Sequence, residues 1–304
     1  MAAPANNGPM TVLEILNRTK VFFERKGVPD PLLDAQHIIS FGLGMKNRMD
    51  LYLNFEKPLT PAELDTLRPL VARRANREPL QHIIGDTSFR GFIIKCDPRA
   101  LIPRSETEDI VDMVKNSVKE VEAPFVVEIG TGSGCIAISC AKEMESAKVL
   151  ACDVSEDALA LARENATANE LESDKLAFAQ GDLLNAVTAD VLASAGFSPD
   201  KKIDCLVANL PYIPDSEKGK LQPEVDKFDP ALALYGGADG LDLVRKLLQQ
   251  TEGRLSSGAM IFLEIGSEQA EVLKAEAASY PWLDFAGIHK DYCDNIRFVS
   301  YKNI

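Results

Sequence analysis

The sequence predicts a doubly wound α/β domain preceded by a small helical domain, with a β-hairpin between them. Three observations carry that expectation. Pro124 to Ile129 is a buried-strand pattern that opens into a glycine-rich turn at 130–134 and a helical pattern from Cys135, the strand–turn–helix start of such a sheet. Apolar runs then alternate with helical patterns to the end of the chain, as βα units do. Residues 10 to 78 instead hold repeated helix starts.

Composition narrows the functional classes. At 304 residues, two domains are expected, and 46% hydrophobic with 26% charged residues is ordinary for a soluble globular protein. A net charge of −13 argues against a large phosphate-tracking surface. Six cysteines are scattered, mostly in apolar segments, without C-x-x-C or zinc-ligand spacing, so reduced core thiols are expected and no metal is. No apolar run approaches the ~20 residues of a membrane span. Met1 to Gly8 lacks the basic and apolar parts of a secretory signal and reads as a disordered tail. A cytoplasmic location follows as an expectation.

Taken in order, Thr11 and Glu14 have capping-box spacing, and Gly27 suits a helix stop. Asp30-Pro31 starts a second helix to about Gly42, and Thr60-Pro61 a third, in which Pro69 is expected to kink or split the pattern. His37 reads as a partly buried helix residue. Arg73, Arg74 and Arg77 are a basic cluster, either a solvated helix end or a docking patch. From Gln81 to Cys96, two β-rich runs flank Gly85 and Gly91 and suggest a hairpin or paired extended linker, continued by Leu101 to Arg104. Ser105 then caps a helix, with Glu108 three residues on. The expected organisation is 10–80 helical, 81–104 hairpin linker and 105–304 α/β.

In the α/β part the glycines stand at 130, 132 and 134, and Cys135 occupies the position where a dinucleotide fingerprint needs glycine. Glu128 just before the loop suits a ligand carrying a cation rather than a pyrophosphate. S-adenosylmethionine, with its sulfonium and ammonium, meets that demand. Lys148 to Asp153 is the next strand. Asp153 lies 19 residues after Gly134, where a carboxylate takes ribose hydroxyls, or it caps the following helix together with Ser155. After Leu176 to Ala179, the Gly181-Asp182-Leu183 step sets another carboxylate at a strand end, facing an adenine amine or serving a simple turn.

Ile203 to Ala208 delivers Asn209-Leu210-Pro211-Tyr212. Pro211 ends the strand and pushes Leu210 into an extended conformation. Asn209 is thereby fixed at a strand's carboxyl end, offering one acceptor oxygen and two donor hydrogens. Such a group, with a flat ring beside it, suits a planar nitrogen such as an amide or a base amine. Glu128, Asp153, Asp182 and Asn209 all fall at the same end of successive strands. Met260 to Gly266 is a fifth strand, and two more follow, the last near Ile296 to Tyr301, with His289 between them.

These residues resemble the class I S-adenosylmethionine-dependent methyltransferases, and more narrowly the protein-glutamine N5-methyltransferases of the HemK/PrmC type, which modify peptide chain release factors. The resemblance covers nearly the whole chain. It includes Arg77 to Gly85, the Pro103-Arg104-Ser105-Glu106-Thr107-Glu108 run, Glu128 to Gly134, and Phe228-Asp229-Pro230. Ala233-Leu234, Gly236-Gly237, Asp239-Gly240-Leu241 and Asp291 to Arg297 complete it. It implies a Rossmann-like fold with a seven-stranded, mostly parallel sheet and helices on both faces. It also implies S-adenosylmethionine held by Glu128, Gly130, Thr131, Gly132, Ser133, Gly134, Asp153, Asp182, Leu183 and Asn209. Asn209, Leu210, Pro211 and Tyr212 would act on the glutamine of a Gly-Gly-Gln loop, Asn209 by its side-chain oxygen and Leu210 by its carbonyl. The helical domain would dock the protein substrate, with no nucleic acid or membrane involved. One departure stands out: the family's Asn-Pro-Pro-Tyr is here Asn-Leu-Pro-Tyr, which is also similar to rRNA adenine-N6 dimethyltransferases. Adenine methylation, a ribosomal-protein glutamine target and a non-catalytic cofactor-binding scaffold are the competing expectations.

Overall fold

The computed structural model describes residues 9–46 and 48–304; the expected tail, Met1 to Gly8, lies outside the described residues. The chain forms two compact units. One holds the chain up to Gly85 together with Gln222–Phe228, and the other holds Asp86–Leu221 with Asp229–Ile304.

The first unit is helical: Val12–Arg25, Pro31–Gly42, Arg48–Leu53, Pro61–Ala75 and Leu80–Ile84, with the short helix Pro223–Phe228 from later in the chain. Thr11 and Thr60 each form a complete capping box, with Glu14 and Glu63 respectively, satisfying backbone donors that a helix start leaves open. Val12, Leu16, Thr19 and Phe23 make one buried face of the first helix, and its apolar members pack with Ile38, Ile39, Leu51 and Leu67. Each large apolar side chain so buried contributes about 1.5–3 kcal/mol.

Three expectations change here. Pro69 does not split its helix, which is continuous from Pro61 to Ala75. Leu67 and Leu70 flank the proline and close over Gly42, where an added Cβ would lie 2.6 Å from Leu67 Cδ2, so packing holds the helix through the lost hydrogen bond. Gln81 to Ile84 is helical rather than extended, with Ile83 in the helical core. The arginine cluster is divided: Arg74 and Arg77 are closed in ion pairs, while the Arg73 side chain stays 41% exposed. Arg74 is 4% exposed and joins Asp34 (Nε–Oδ2 2.7 Å) to Glu224 (Nη2–Oε1 2.9 Å). Arg77 grips the same Glu224 with two bonds of 2.6 and 2.5 Å, and Arg73 pairs with Glu78.

The second unit begins with a hairpin of β1 (Asp86–Phe89) and β2 (Phe92–Lys95), turning at Arg90 and Gly91, both with positive φ. It packs into this unit: Phe89 and Ile94 lie in its core, and Asn165 bonds both backbone groups of Lys95. A seven-stranded sheet follows, made of β3 (Phe125–Ile129), β4 (Lys148–Asp153), β5 (Leu176–Gln180), β6 (Ile203–Ala208), β7 (Leu255–Glu264), β8 (Leu283–Lys290) and β9 (Ile296–Asn303). Its order is β5-β4-β3-β6-β7-β9-β8, parallel except that β9 runs antiparallel to both neighbours. Side chains alternate between two cores. Phe125, Val127 and Ile129 of β3 face one, and Val126 faces the other. The helices Glu108–Ser117 and Cys135–Glu143 cover one face, and Asp242–Gln250 and Ala270–Glu276 the other. Ser105 does not cap its helix: its hydroxyl bonds Glu106 and Tyr292, and a short 3-10 turn precedes Glu108. His289 lies within β8 rather than between strands, bonded to Ser300 of β9 at 2.8 Å.

Candidate active site

The strand order reverses at β3, which has β4 on one side and β6 on the other; ligands of such sheets bind at that switch point, outside the carboxyl ends of the strands. Ile129 pairs with Cys152 of β4 and with Ala208 of β6. Gly130, Asp153 and Asn209 therefore leave three adjacent strands at one level.

The glycine loop is tied down from below and from the side. Glu128 is 1% exposed, and its Oε2 accepts from Thr131 Oγ1 at 2.6 Å and from Ala137 N at 3.0 Å. Burial lifts its carboxyl to about 8, against those two hydrogen bonds. Burial thus favours its neutral form, and a cation beside it would favour the charged one. Gly134 has φ +84, and a Cβ there would lie 3.0 Å from Ala162 Cβ, so glycine lets the helix Glu156–Ala168 seat against the loop. Asp153 spans both sides: Oδ2 accepts from Gly132 N and Oδ1 from Ser155 N, each at 2.9 Å. The helix cap itself is Ser155, whose Oγ accepts from Ala158 N. Asp182 is half-exposed and paired with Lys246.

One cavity of about 320 Å³ gathers these groups, a volume in the range of small-molecule sites. Its walls include Glu128, Gly130 to Ser133, Asp153, Asp182, Leu183, Asn209, Leu210 and Pro211. Gly134 and Tyr212 lie outside the walls. Leu101, Ile102 and Pro103 supply an apolar side, as do Pro230, Leu232 and Ala233. The donor set suits S-adenosylmethionine: carboxylates at the rim for hydroxyls and an amine, a buried carboxyl for a cation, and apolar walls for a flat base. Among the described residues no cluster of His, Cys, Asp and Glu has a metal-holding arrangement.

The turn after β6 is clamped through its backbone. Gln269 Nε2 donates to Tyr212 O at 2.8 Å and to Asp239 O at 3.0 Å. A Cβ on Gly236 would fall 2.2 Å from Pro211 O, and one on Gly240 2.0 Å from Tyr212 O. Only glycine allows the 236–240 loop to lie against this turn. Leu210 is 4% exposed and joins the apolar core beside Ile129 and Leu241, so the departure from the family's proline is absorbed by packing beneath Gly130. Burial raises the Tyr212 hydroxyl's titration, against the nearby Arg297 charge. Glu264 ends β7 next to Asn209. It accepts from Thr107 Oγ1 at 2.7 Å, and the neighbouring Asn209 side chain favours its charged form. Arg297 is also held by the buried Asp291.

Sequence reasoning did not assign Thr107, Glu264, Gln269 or Arg297 to the site. Their positions come from distant parts of the chain; Thr107 and Arg297 fall in segments carrying the family resemblance, and Glu264 and Gln269 carried no signal.

The comparisons agree with this geometry. The PrmC N-terminal domain model matches residues 14–85, and the Methyltransferase small domain model matches residues 111–218. A release factor glutamine methyltransferase of Geobacter sulfurreducens is 38% identical over 86% of this chain and 87% of its own. That of Rhodopirellula baltica is 33% identical over 99% of both chains. The human MTRF1L release factor glutamine methyltransferase is 28% identical over 98% of this chain and 89% of its own. Among solved structures, the hMettl16 catalytic domain in complex with MAT2A 3'UTR hairpin 6 shares the fold, with TM-score 0.53 and 17% identity over 77% of this chain and 81% of that one. A strand-end carboxamide beside a methyl-donor cavity, in a chain this similar to its relatives, places the protein in the release factor glutamine methyltransferase family, whose members use S-adenosylmethionine.

Proposed function

We propose that this chain methylates the side-chain nitrogen, N5, of the glutamine in the Gly-Gly-Gln motif of a peptide chain release factor. The observation that carries this reading is Asn209, set at the wall of the cofactor cavity on a clamped backbone turn. When bound, S-adenosylmethionine supplies a methyl group on a sulfonium. Asp153 and Asp182 would hold its hydroxyls and amine, the Gly130 to Gly134 loop would lie against it, and Glu128 would answer its positive charge.

An amide nitrogen is a weak nucleophile because its lone pair is delocalised, so the protein's part is placement and charge. Asn209 Oδ1 and the Leu210 carbonyl accept the two N–H hydrogens of the glutamine amide. They aim the nitrogen at the methyl group and offset the positive charge that grows on it. Pro211 and Tyr212 wall the amide and keep water out, and the surplus proton leaves to solvent. Most of the acceleration comes from alignment. The helical unit docks the protein substrate. Its exposed apolar side chains, Phe22, Leu32, Leu33, Phe41, Met49 and Leu53, support that role. Six free thiols, five of them buried and Cys293 exposed, support a reducing, cytoplasmic site of action.

The test uses labelled S-adenosylmethionine with a folded bacterial release factor, ribosomal proteins and unmodified rRNA in parallel. Label is expected on the release factor alone and is lost when its Gly-Gly-Gln glutamine is replaced. Asn209→Ala is expected to abolish turnover while cofactor binding survives. Label on rRNA alone would overturn the glutamine reading in favour of adenine methylation.

A further inference from the structure

Glu264 is the last residue of β7, and Asn209 immediately follows the last residue of β6. Ala208 and Leu263 are partners in the parallel register, so the two side chains leave neighbouring strands side by side. Glu264 is 3% exposed. Its Oε2 accepts from the buried Thr107 hydroxyl, and its carboxyl faces the Asn209 side chain, which favours the charged form. A carboxamide is nearly symmetric in shape, and its partners decide which end is oxygen. An ionised carboxylate can only accept. Asn209 therefore turns Nδ2 toward Glu264, which leaves Oδ1 for the incoming nitrogen.

We propose that Glu264 is a positioning residue whose carboxylate holds Asn209 with its oxygen, not its nitrogen, toward the acceptor amide. The inference rests on the glutamine reading above and deepens it. An acceptor amide presents N–H donors at its nitrogen, so a reversed Asn209 would set donors against donors.

The surroundings set when this hold is lost. Glu106, on the turn before the helix Glu108–Ser117, disfavours the carboxylate. Arg297 of β9 favours it, and Arg297 is shared with Asp291 and with the Tyr212 hydroxyl. Burial outweighs these and the help of Thr107 and Asn209, lifting Glu264 to about 7. Below that pH the protonated acid can donate to Asn209 Oδ1, and the carboxamide can turn over. Turnover therefore falls as the pH drops through the Glu264 titration.

Two measurements on the full chain test this. In the first, the side-chain amide resonances of Asn209 are followed by 15N NMR with S-adenosylmethionine present and no substrate, using Asn209→Asp for assignment. They are expected to titrate near neutral pH, and to stay fixed in Glu264→Gln. Asn209 signals indifferent to pH in the unaltered chain would overturn the proposal. In the second, turnover is measured on a folded release factor. In Glu264→Gln the Thr107 hydroxyl holds the new carboxamide by its oxygen, so its N–H₂ group faces Asn209 and favours the reversed state. The expected result is a fall in kcat of about 100-fold, with KM and cofactor affinity unchanged and the acidic limb of the pH profile gone. Adding Thr107→Val releases that carboxamide to turn and should restore part of the lost turnover, whereas a merely structural role predicts a further loss. Undiminished kcat in Glu264→Gln, or a double variant worse than the single one, refutes the role. If the unaltered chain labels no glutamine, the functional reading fails, and the NMR titration still decides the role of Glu264.

Discussion

Gly240→Ala isolates the backbone clamp on the acceptor turn. Gly240 has φ +81, and the added Cβ would sit 2.0 Å from Tyr212 O and 2.5 Å from Gln269 Nε2. An ordinary carbon–oxygen contact is about 3.3–3.6 Å, so the Tyr212 carbonyl must retreat by more than about 1 Å. That carbonyl is three residues from the Asn209 amide and is the one Gln269 holds at 2.8 Å. A shift of about 1 Å at a reacting group costs on the order of 100-fold in rate. The left-handed backbone adds about 1–2 kcal/mol and the broken Gln269 bond about 1 kcal/mol, so folding stability should drop by about 3 kcal/mol. Urea unfolding and labelled-methyl turnover on a release factor measure the two effects, and cofactor calorimetry should show unchanged affinity. Gly253→Ala is the control. It has φ +68, with nothing within 4 Å of the added carbon, so it should lose only the backbone term and keep full turnover. Wild-type turnover in Gly240→Ala would refute the claim that glycine at 240 positions the acceptor turn.

Two further outcomes are expected. Arg74→Ala strands Asp34, a carboxyl 6% exposed as part of its residue, and should destabilise the chain by about 3–5 kcal/mol in urea unfolding. Burial already raises the Asp34 titration above its ordinary value. The variant's deficit should therefore shrink as the pH falls and Asp34 protonates, and a deficit that grows in acid would refute this. Glu128 is neutral up to about 8, and a cation bound beside it favours ionisation, so S-adenosylmethionine binding should expel a proton. Affinity should then rise with pH, by at most about tenfold per unit, until that value is passed. Glu128→Gln should flatten the dependence, and calorimetry in buffers of different ionisation enthalpy reads the proton directly.

Much of this protein was legible in its sequence because the signals are local. Strand runs, the glycine loop, the capping boxes at Thr11 and Thr60, and the proline after Asn209 act through neighbours a few residues away. The convergence of Glu128, Asp153, Asp182 and Asn209 on one cavity also followed, since a parallel sheet puts successive strand ends on one side. Where tertiary contacts compete with local preference, the sequence reading erred. Pro69 sits in an unbroken helix because Leu67 and Leu70 are pinned over Gly42. Ser105 found Tyr292 instead of a helix amide. The Arg74 and Arg77 cluster, open in sequence, is closed by Glu224 from roughly 150 residues away.

The sequence by itself determined the fold and the cofactor class, and it pointed to Asn209 as the residue proposed to meet the acceptor. Only the tertiary structure decided how that residue is held. Thr107, Glu264, Gln269, Arg297 and the 236–240 glycines reach the Asn209 turn from separate segments, and their roles are hydrogen bonds and close approaches across the folded sheet. Such contacts have no spacing to read along a chain, because they exist only once β6, β7 and β9 lie side by side.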